Sequence, residues 1–311
     1  MTRTVPSPAT GALAAAVAVL AAAALFGTSG TSRELLAPDS WPPSVAAVRL
    51  AVGALGLVAV VAFLRRLPSL TRLLRNPLTW VSGVAVAGYQ GLFFVGVERT
   101  GVAVGTLVSL GLAPLLAGLL GWAMREGAPG WSWAVMTAFA VVGLVLLTRG
   151  GITDPDPLGV LAALGAGACY AIYTVFGTRL TRDGHDSTSV MAAAFAVGAL
   201  LLTPFLWSAR DWLMTPGGIA LALWLGLLAT TVAYVLFGIG IARLQPGHVA
   251  TLNLFEPVVA TILGVTVLGE QLSATGWLGC ALVVIALGGL GVLEARSSSV
   301  RTPPQGVRPT A

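Results

Sequence analysis

Apolar residues come in long blocks along this chain. Runs of about 20 residues with almost no charge alternate with short punctuation rich in Pro, Gly, Asp and Arg. At 1.5 Å per residue, such a block is long enough to cross a bilayer as a helix. Ten blocks predict helices at roughly 10–30, 44–64, 78–98, 101–123, 131–148, 157–178, 189–207, 218–240, 246–268 and 275–293. The expected class is therefore an all-α, polytopic membrane protein. The first block, with Arg3 ahead of an apolar run from Gly11 to Phe26, has the outline of a secretory signal. It reads instead as a retained helix, because it has a counterpart later in the chain. From Ser297 to Ala311 the chain is polar and reads as a disordered tail.

The counterpart emerges when the chain is slid along itself by 143–144 residues. FVGVERTGVAVGTLVSLGLAP (94–114) then lies over FGIGIARLQPGHVATLNLFEP (237–257), matching Phe94 to Phe237 and Pro114 to Pro257. At nearly the same offset Trp80 meets Trp224, Glu126 meets Glu270 and Trp133 meets Trp277, and LFGTSGTSRELL (25–36) lies over CYAIYTVFGTRL (169–180). A near-constant offset over most of the chain is the mark of duplication. The expected units are 1–150 and 151–296, five helices each. Five is odd, so the second unit enters the membrane upside down relative to the first. Inverted repeats are a common transporter plan, with cargo held near the midplane between the halves.

Composition sharpens this reading. The chain has 311 residues, 56% hydrophobic and 9% charged, with mean hydropathy +0.90. A soluble domain carries roughly 25% charge. The net charge of +5 comes with arginine alone, since no lysine occurs. The arginines stand mostly at block ends, which is a topology signal and not a nucleic-acid stripe. With the N-terminus in the cytoplasm, inside loops and termini hold 12 arginines and outside loops 4, leaving Arg49 within a span. Both termini are expected to be cytoplasmic. The missing lysine excludes a Walker A site and a Schiff base. Cys169 and Cys280 lie inside apolar blocks and read as packing residues, and no metal or cofactor is expected. The residue bias points to a GC-rich bacterial genome and hence to a bacterial plasma membrane.

Glu256 is the leading candidate for chemistry. It lies about ten residues into the ninth span, so about 15 Å deep. An ionised carboxylate there costs about 2.5–3.5 kcal/mol or more. It must be protonated, paired or wetted; it either couples protons, receives a cargo ammonium, or bonds a neighbouring helix as structural glue. Asn253, three residues earlier, shares its face. Pro257 and Pro114 each remove one helical hydrogen bond, freeing the carbonyls of Asn253 and Leu110, so paired kinks around a central site are expected. Tyr89, Gln90 and Tyr234 fall mid-span, as do Tyr170 and Tyr173, while Thr106 and Ser109 share one helix face. These are candidates for a cavity lining, each with interhelical bonding as the plainer alternative. Arg49 either snorkels to the interface or meets a carboxylate. His248 is a candidate proton relay with interfacial placement as the alternative. Glu126 and Glu270 are expected to end their helices.

Taken as a set, these features resemble the EamA family of the drug/metabolite transporter superfamily. NLFEPVVATILGVTVLGE (253–270) is similar to that family's Glu-Pro and Gly-Glu signature. LAPLLAGLLGWAMRE (112–126) is a looser copy without the acid before the proline. Phe26-Gly27-Thr28-Ser29 looks like its aromatic-Gly-Ser motif, and Arg49 stands where the family often has an arginine. The resemblance implies secondary transport, often export, of small metabolites such as amino acids, or of drugs. It leaves cargo, direction, driving force (protons or the cargo's own gradient) and dimerisation open. An intramembrane enzyme is the first rival, but no Asp falls inside a span and no HExxH motif occurs. A sensor or scaffold, the second rival, has no need of a polar midplane.

Overall fold

A computed structural model describes residues 8–125, 129–148, 156–269 and 271–300. The described chain is helical, in the order α1 (Pro8–Leu36), α2 (Pro42–Phe63), α3 (Leu67–Leu73), α4 (Pro77–Ala123), α5 (Trp131–Thr148), α6 (Pro157–Arg182) and α7 (Ser187–Leu202). A 3-10 stretch (Thr203–Ala209), α8 (Arg210–Leu213) and α9 (Pro216–Leu223) follow, and then a π-helical segment, Trp224–Val232. The chain closes with α10 (Ala233–Ile241), α11 (Pro246–Leu252), α12 (Phe255–Val267) and α13 (Ala274–Val300). Among the described residues, six stretches are long and apolar enough to cross a membrane: Gly11–Leu36, Pro42–Phe63, Pro157–Arg182, Ser187–Leu213, Pro216–Ile241 and Pro246–Val267. Val108–Ala123, Trp131–Leu146 and Ala274–Leu290 are shorter apolar helices.

The polar punctuation does local work. The side chains of Asn76, Asp156 and Asp186 accept from the backbone N–H of Leu78, Leu158 and Ser189. Thr215 does the same for Gly218. Each satisfies an N–H left orphaned at a helix start, and Pro77, Pro157 and Pro216 stand where no N–H is needed. Arg65 and Arg125 close their helices in the left-handed conformation, at φ 56° and 61°, as do Gly184 and Gly269.

Two expected spans, 78–98 and 101–123, form one helical run, α4. That run is not straight. A Cβ on Gly88 would lie 2.9 Å from Sγ of Cys169, and one on Gly167 would lie 2.8 Å from the carbonyl of Ser109. Positions 167 and 169 are within one turn of α6, whereas positions 88 and 109 of a straight helix would be about 31 Å apart. The chain therefore folds back near residue 100, where Gly159 of α6 packs against Arg99 and Thr100. Both arms of α4 lie along α6. No loop separates them, which is why a reading by blocks finds two spans and the hydrogen bonding finds one.

Four more sets of contacts organise the molecule. α5 lies along α13, α2 along α7, and α1 against the π segment, α10 and α12. α4 also packs on α7, as the π segment packs on α2. α2 is tied at both ends: Arg66, just past it, pairs with Asp186 at the start of α7, and Trp212 Nε1 of α8 donates to Ser44 Oγ near its start at 2.9 Å. The interior is rich in alanine, with Ala15, Ala22, Ala117, Ala163, Ala192 and Ala233 fully buried. Large apolar side chains face outward, among them Phe63 (86% exposed) and Leu55 (71%). An exterior of that kind suits hydrocarbon and not water.

Three expectations on the helices change. Pro257 does interrupt its span, ending α11 at Leu252 and starting α12 at Phe255. The carbonyl of Asn253, which its missing N–H would leave free, accepts instead from the N–H of Glu256 at 3.0 Å. Pro114, by contrast, is carried inside α4 without a break in the helix. The eighth span contains the π segment, which no block pattern reveals. The expected tail begins later than Ser297, because α13 runs to Val300, and residues 301–311 lie outside the described residues.

Candidate functional site

Glu256 is the second residue of α12, in the first turn after the break. Asn253 Nδ2 donates to its Oε2 at 3.1 Å, so the break places the amide and the carboxylate side by side. Gly27 of α1 makes room for them. A Cβ there would meet the carbonyl of Glu256 at 2.7 Å and Cβ of Val259 at 2.8 Å. The glycine of the Phe26-Gly27-Thr28-Ser29 motif thus lets α1 touch the backbone that carries the acid. Glu256 is partly accessible and lies in the apolar stretch Pro246–Val267.

Arg49 of α2 reaches across to the π segment. Its Nε donates to Thr230 Oγ1 at 3.0 Å and its Nη2 to the carbonyl of Ala229 at 3.1 Å. Its guanidinium also lies 5.9 Å from the centre of the Phe26 ring. The bonds point inward, so the snorkelling alternative does not describe this arginine. Arg49 and Glu256 make no direct ion pair, but each is close enough to feel the other's charge, and Tyr89 and Tyr234 feel both.

Between these two charges stands a chain of rings. Phe26 packs on Tyr234 at 4.9 Å, Tyr234 on Phe195 at 4.1 Å and on Phe237 at 5.6 Å. Phe237 meets Tyr173, which meets Tyr170 at 5.0 Å, and both stand edge-on to Tyr89. The tyrosine array draws residues from α4, α6 and α10 into one buried aromatic cluster. The hydroxyls of Tyr170 and Tyr173 and the Oδ1 of Asn253 are buried without a well-formed hydrogen bond. Buried polar atoms of that kind are rare and mark places where a bound polar molecule can contribute.

Of the sequence candidates, Glu256, Asn253, Pro257, Arg49, Tyr89, Tyr173 and Tyr234 converge. Gln90 is buried but has no described contact with the array. Ser109 donates to the carbonyl of Gly105 at 2.7 Å within α4 and packs toward Gly167 of α6, away from the cluster. Pro114 stays in the helix, and the side chain of Thr106, with Glu126 and Glu270, lies outside the described residues. His248 packs edge-on to Trp133, whose indole N–H donates to Thr251 at 3.2 Å, a contact between α5 and α11 apart from the cluster. The residues that the sequence did not offer are Thr230, Phe195 and Phe237. Thr230 and Thr231 are visible as a polar pair inside an apolar block, but nothing in the spacing marks a π segment.

The fold and these contacts define a multi-pass membrane protein that brings an acid, an arginine and four tyrosines together among its helices. Comparison with known proteins gives this class a name. The model of the EamA-like transporter family matches the chain twice, over residues 13–149 and 157–292. The chain is 38% identical over 274 residues to the uncharacterized transporter YwfM of Bacillus subtilis, covering 86% of this chain and 90% of that one. It is 30% identical over 293 residues to the threonine/homoserine exporter RhtA of Escherichia coli K12, covering 92% and 93%. A solved crystal structure shares the fold with a TM-score of 0.74 at 22% identity, over 91% of this chain and 98% of that one. The chain belongs to the EamA-like transporter family and is a membrane transporter.

Proposed function

We propose that this chain is a secondary transporter that exports small metabolites, amino acids first among them, across a bacterial plasma membrane by alternating access. In this reading ten helices form two inverted units, 1–150 and 151–296, with both termini in the cytoplasm. The double family match supports the duplication. So does the packing under the 143–144 offset. α1 against α10 and α12 corresponds to α6 against the two arms of α4, and the α2–α7 and α5–α13 pairs correspond to themselves. Arg125 and Gly269, 144 apart, both turn left-handed at the end of corresponding helices. Helix pairs that map onto themselves are what a twofold axis in the membrane plane would produce.

The observation that carries the proposal is Glu256, a carboxylate within the apolar stretch Pro246–Val267, hydrogen-bonded to Asn253 beside the break in that stretch. An intramembrane acid of this kind is functional by default. A cargo ammonium would find a carboxylate and aromatic faces there. An intramembrane enzyme or a scaffold would not require two corresponding halves around such a site. The relative RhtA is a threonine/homoserine exporter, so L-threonine and L-homoserine are the first cargoes to try. The test is flux in proteoliposomes with and without an imposed pH gradient. If Glu256 carries coupling protons, Glu256→Gln abolishes the pH-driven flux while the protein still folds. Flux with wild-type pH dependence in that variant would make the carboxylate structural. Exchange driven by the cargo gradient would not respond to an uncoupler in the wild type.

A further inference from the structure

The carrier reading leaves open what Arg49 does and why the helix facing it is not an α-helix. A π-helical stretch holds one extra residue per turn and recurs at functional sites. This one, Trp224–Val232, faces α2 in contact so close that a Cβ on Gly53 would run into Thr230, and one on Gly226 into Val52. Thr231 Oγ1 bonds the carbonyls of Gly226 at 3.0 Å and Gly53 at 3.2 Å, stitching the segment to itself and to α2. The corresponding arm of α4 is helical without such a stretch, and the position matching Arg49 at an offset of 144 is Ala193. The departure from symmetry in the backbone thus coincides with the departure in charge.

The two bonds from Arg49 use its side-on edge, Nε and Nη2. A guanidinium presents five N–H donors in a planar fork, and both its edges match a carboxylate. The end-on edge, Nη1 and the second hydrogen of Nη2, carries neither of these bonds. With its side-on edge fixed, the plane of the fork is fixed too. The guanidinium lies 5.9 Å from the centre of the Phe26 ring, which packs on Tyr234 at 4.9 Å.

We propose that the end-on edge of Arg49 receives the carboxylate of the cargo, and that Thr230, with the carbonyl of Ala229, is the positioning group that aims it. This rests on the carrier reading and assigns the anionic half of the cargo. In chemical terms the class is a small zwitterion that carries both a carboxylate and an ammonium. Thr230 does not touch the cargo; it acts through Arg49.

The test is initial-rate flux in proteoliposomes holding the full chain. The probes are the twenty proteinogenic amino acids, homoserine, and the decarboxylated amine of each. Thr230→Val removes the hydroxyl at nearly constant volume. It is expected to raise KM for carried amino acids roughly 5–20-fold with kcat within about twofold, while Thr230→Ser restores the wild-type KM. Arg49→Lys keeps the charge and loses the fork, and is expected to raise KM at least as much. Thr230→Val added to Arg49→Lys should cost nothing further, because the aimed group is already gone. An unchanged KM in Thr230→Val, a loss confined to kcat, or additive effects in the double variant would overturn the proposal. Should Thr230→Val not fold, Arg49→Lys decides: an unchanged KM overturns the proposal, and a raised KM for amino acids but not for amines upholds it. Wild-type flux of amines without flux of any amino acid would overturn the carboxylate assignment and leave the carrier reading standing. Flux of no probe at all would remove both.

Discussion

At the scale of the residue, the most informative positions are those where a missing side chain lets a charged one be placed. Gly27 is such a position. A larger residue there would push on the carbonyl of Glu256 and on Val259 at once, with the N–H of Ala260 3.1 Å away. Gly27→Val should lose about 1–3 kcal/mol of stability by overpacking. It should also reduce flux more than the same change at Gly30, where a Cβ would meet nothing within 4 Å; the comparison uses melting in detergent alongside proteoliposome flux. A second residue-scale prediction concerns Asp156. The Arg99 side chain at 2.9 Å, and then the N–H of Leu158, hold its carboxyl below the ordinary value of 3.8. A depressed carboxyl stabilises the fold above its unfolded value, and that contribution disappears as the pH falls through the folded one. The loss of melting temperature between roughly pH 5 and 3 should therefore be shallower in Asp156→Asn than in the wild type. Asparagine keeps the helix cap and loses the ion pair, so equal slopes would mean that the pair contributes nothing.

At the scale of the element, helix ends and helix interiors behave differently. Arg125 ends α4 at φ 61°, where a side chain strains the backbone and glycine does not, as at Gly269. Arg125→Gly should raise stability by about 0.5–1 kcal/mol, partly offset by the greater freedom of the unfolded chain. A lower melting temperature would mean that the arginine side chain does more than end the helix. Helix ends were legible in the sequence because Asn76-Pro77, Asp156-Pro157 and Thr215-Pro216 carry their own chemistry. The break before Glu256 was legible for the same reason, since proline removes an N–H wherever it falls. Pro114 shows the limit of that argument: the same residue at the corresponding position is accommodated inside a helix. The fold-back near residue 100 was legible as the boundary between the blocks 78–98 and 101–123, although no loop marks it. The π segment was not legible at all, because it faces α2 and Arg49, and a block of apolar residues has the same appearance whatever it packs on. Among the site residues, Glu256 and Arg49 stood out because charge is costly in lipid. Phe195 and Phe237 did not, because a ring lining a site and a ring filling a core are the same letter.

At the scale of the whole molecule, the two ties on α2 matter most. Arg66 with Asp186 and Trp212 with Ser44 fasten the two ends of α2 to the two ends of the stretch Ser187–Leu213. Under the proposed alternating access, a pair of spans pinned top and bottom would be the axle about which the rest swings. The contact between Thr28 of α1 and Trp224, where the indole N–H donates to the hydroxyl at 2.9 Å, lies off that line and under the same proposal would have to open. Disulfides introduced between positions 66 and 186, or between 44 and 212, should leave flux nearly intact, whereas one between 28 and 224 should stop it until reduced. Arrest by all three would mean that no stationary line runs through the protein. If the axle holds, then helices 2 and 7 are where a drug or an antibody could grip this transporter firmly and change nothing.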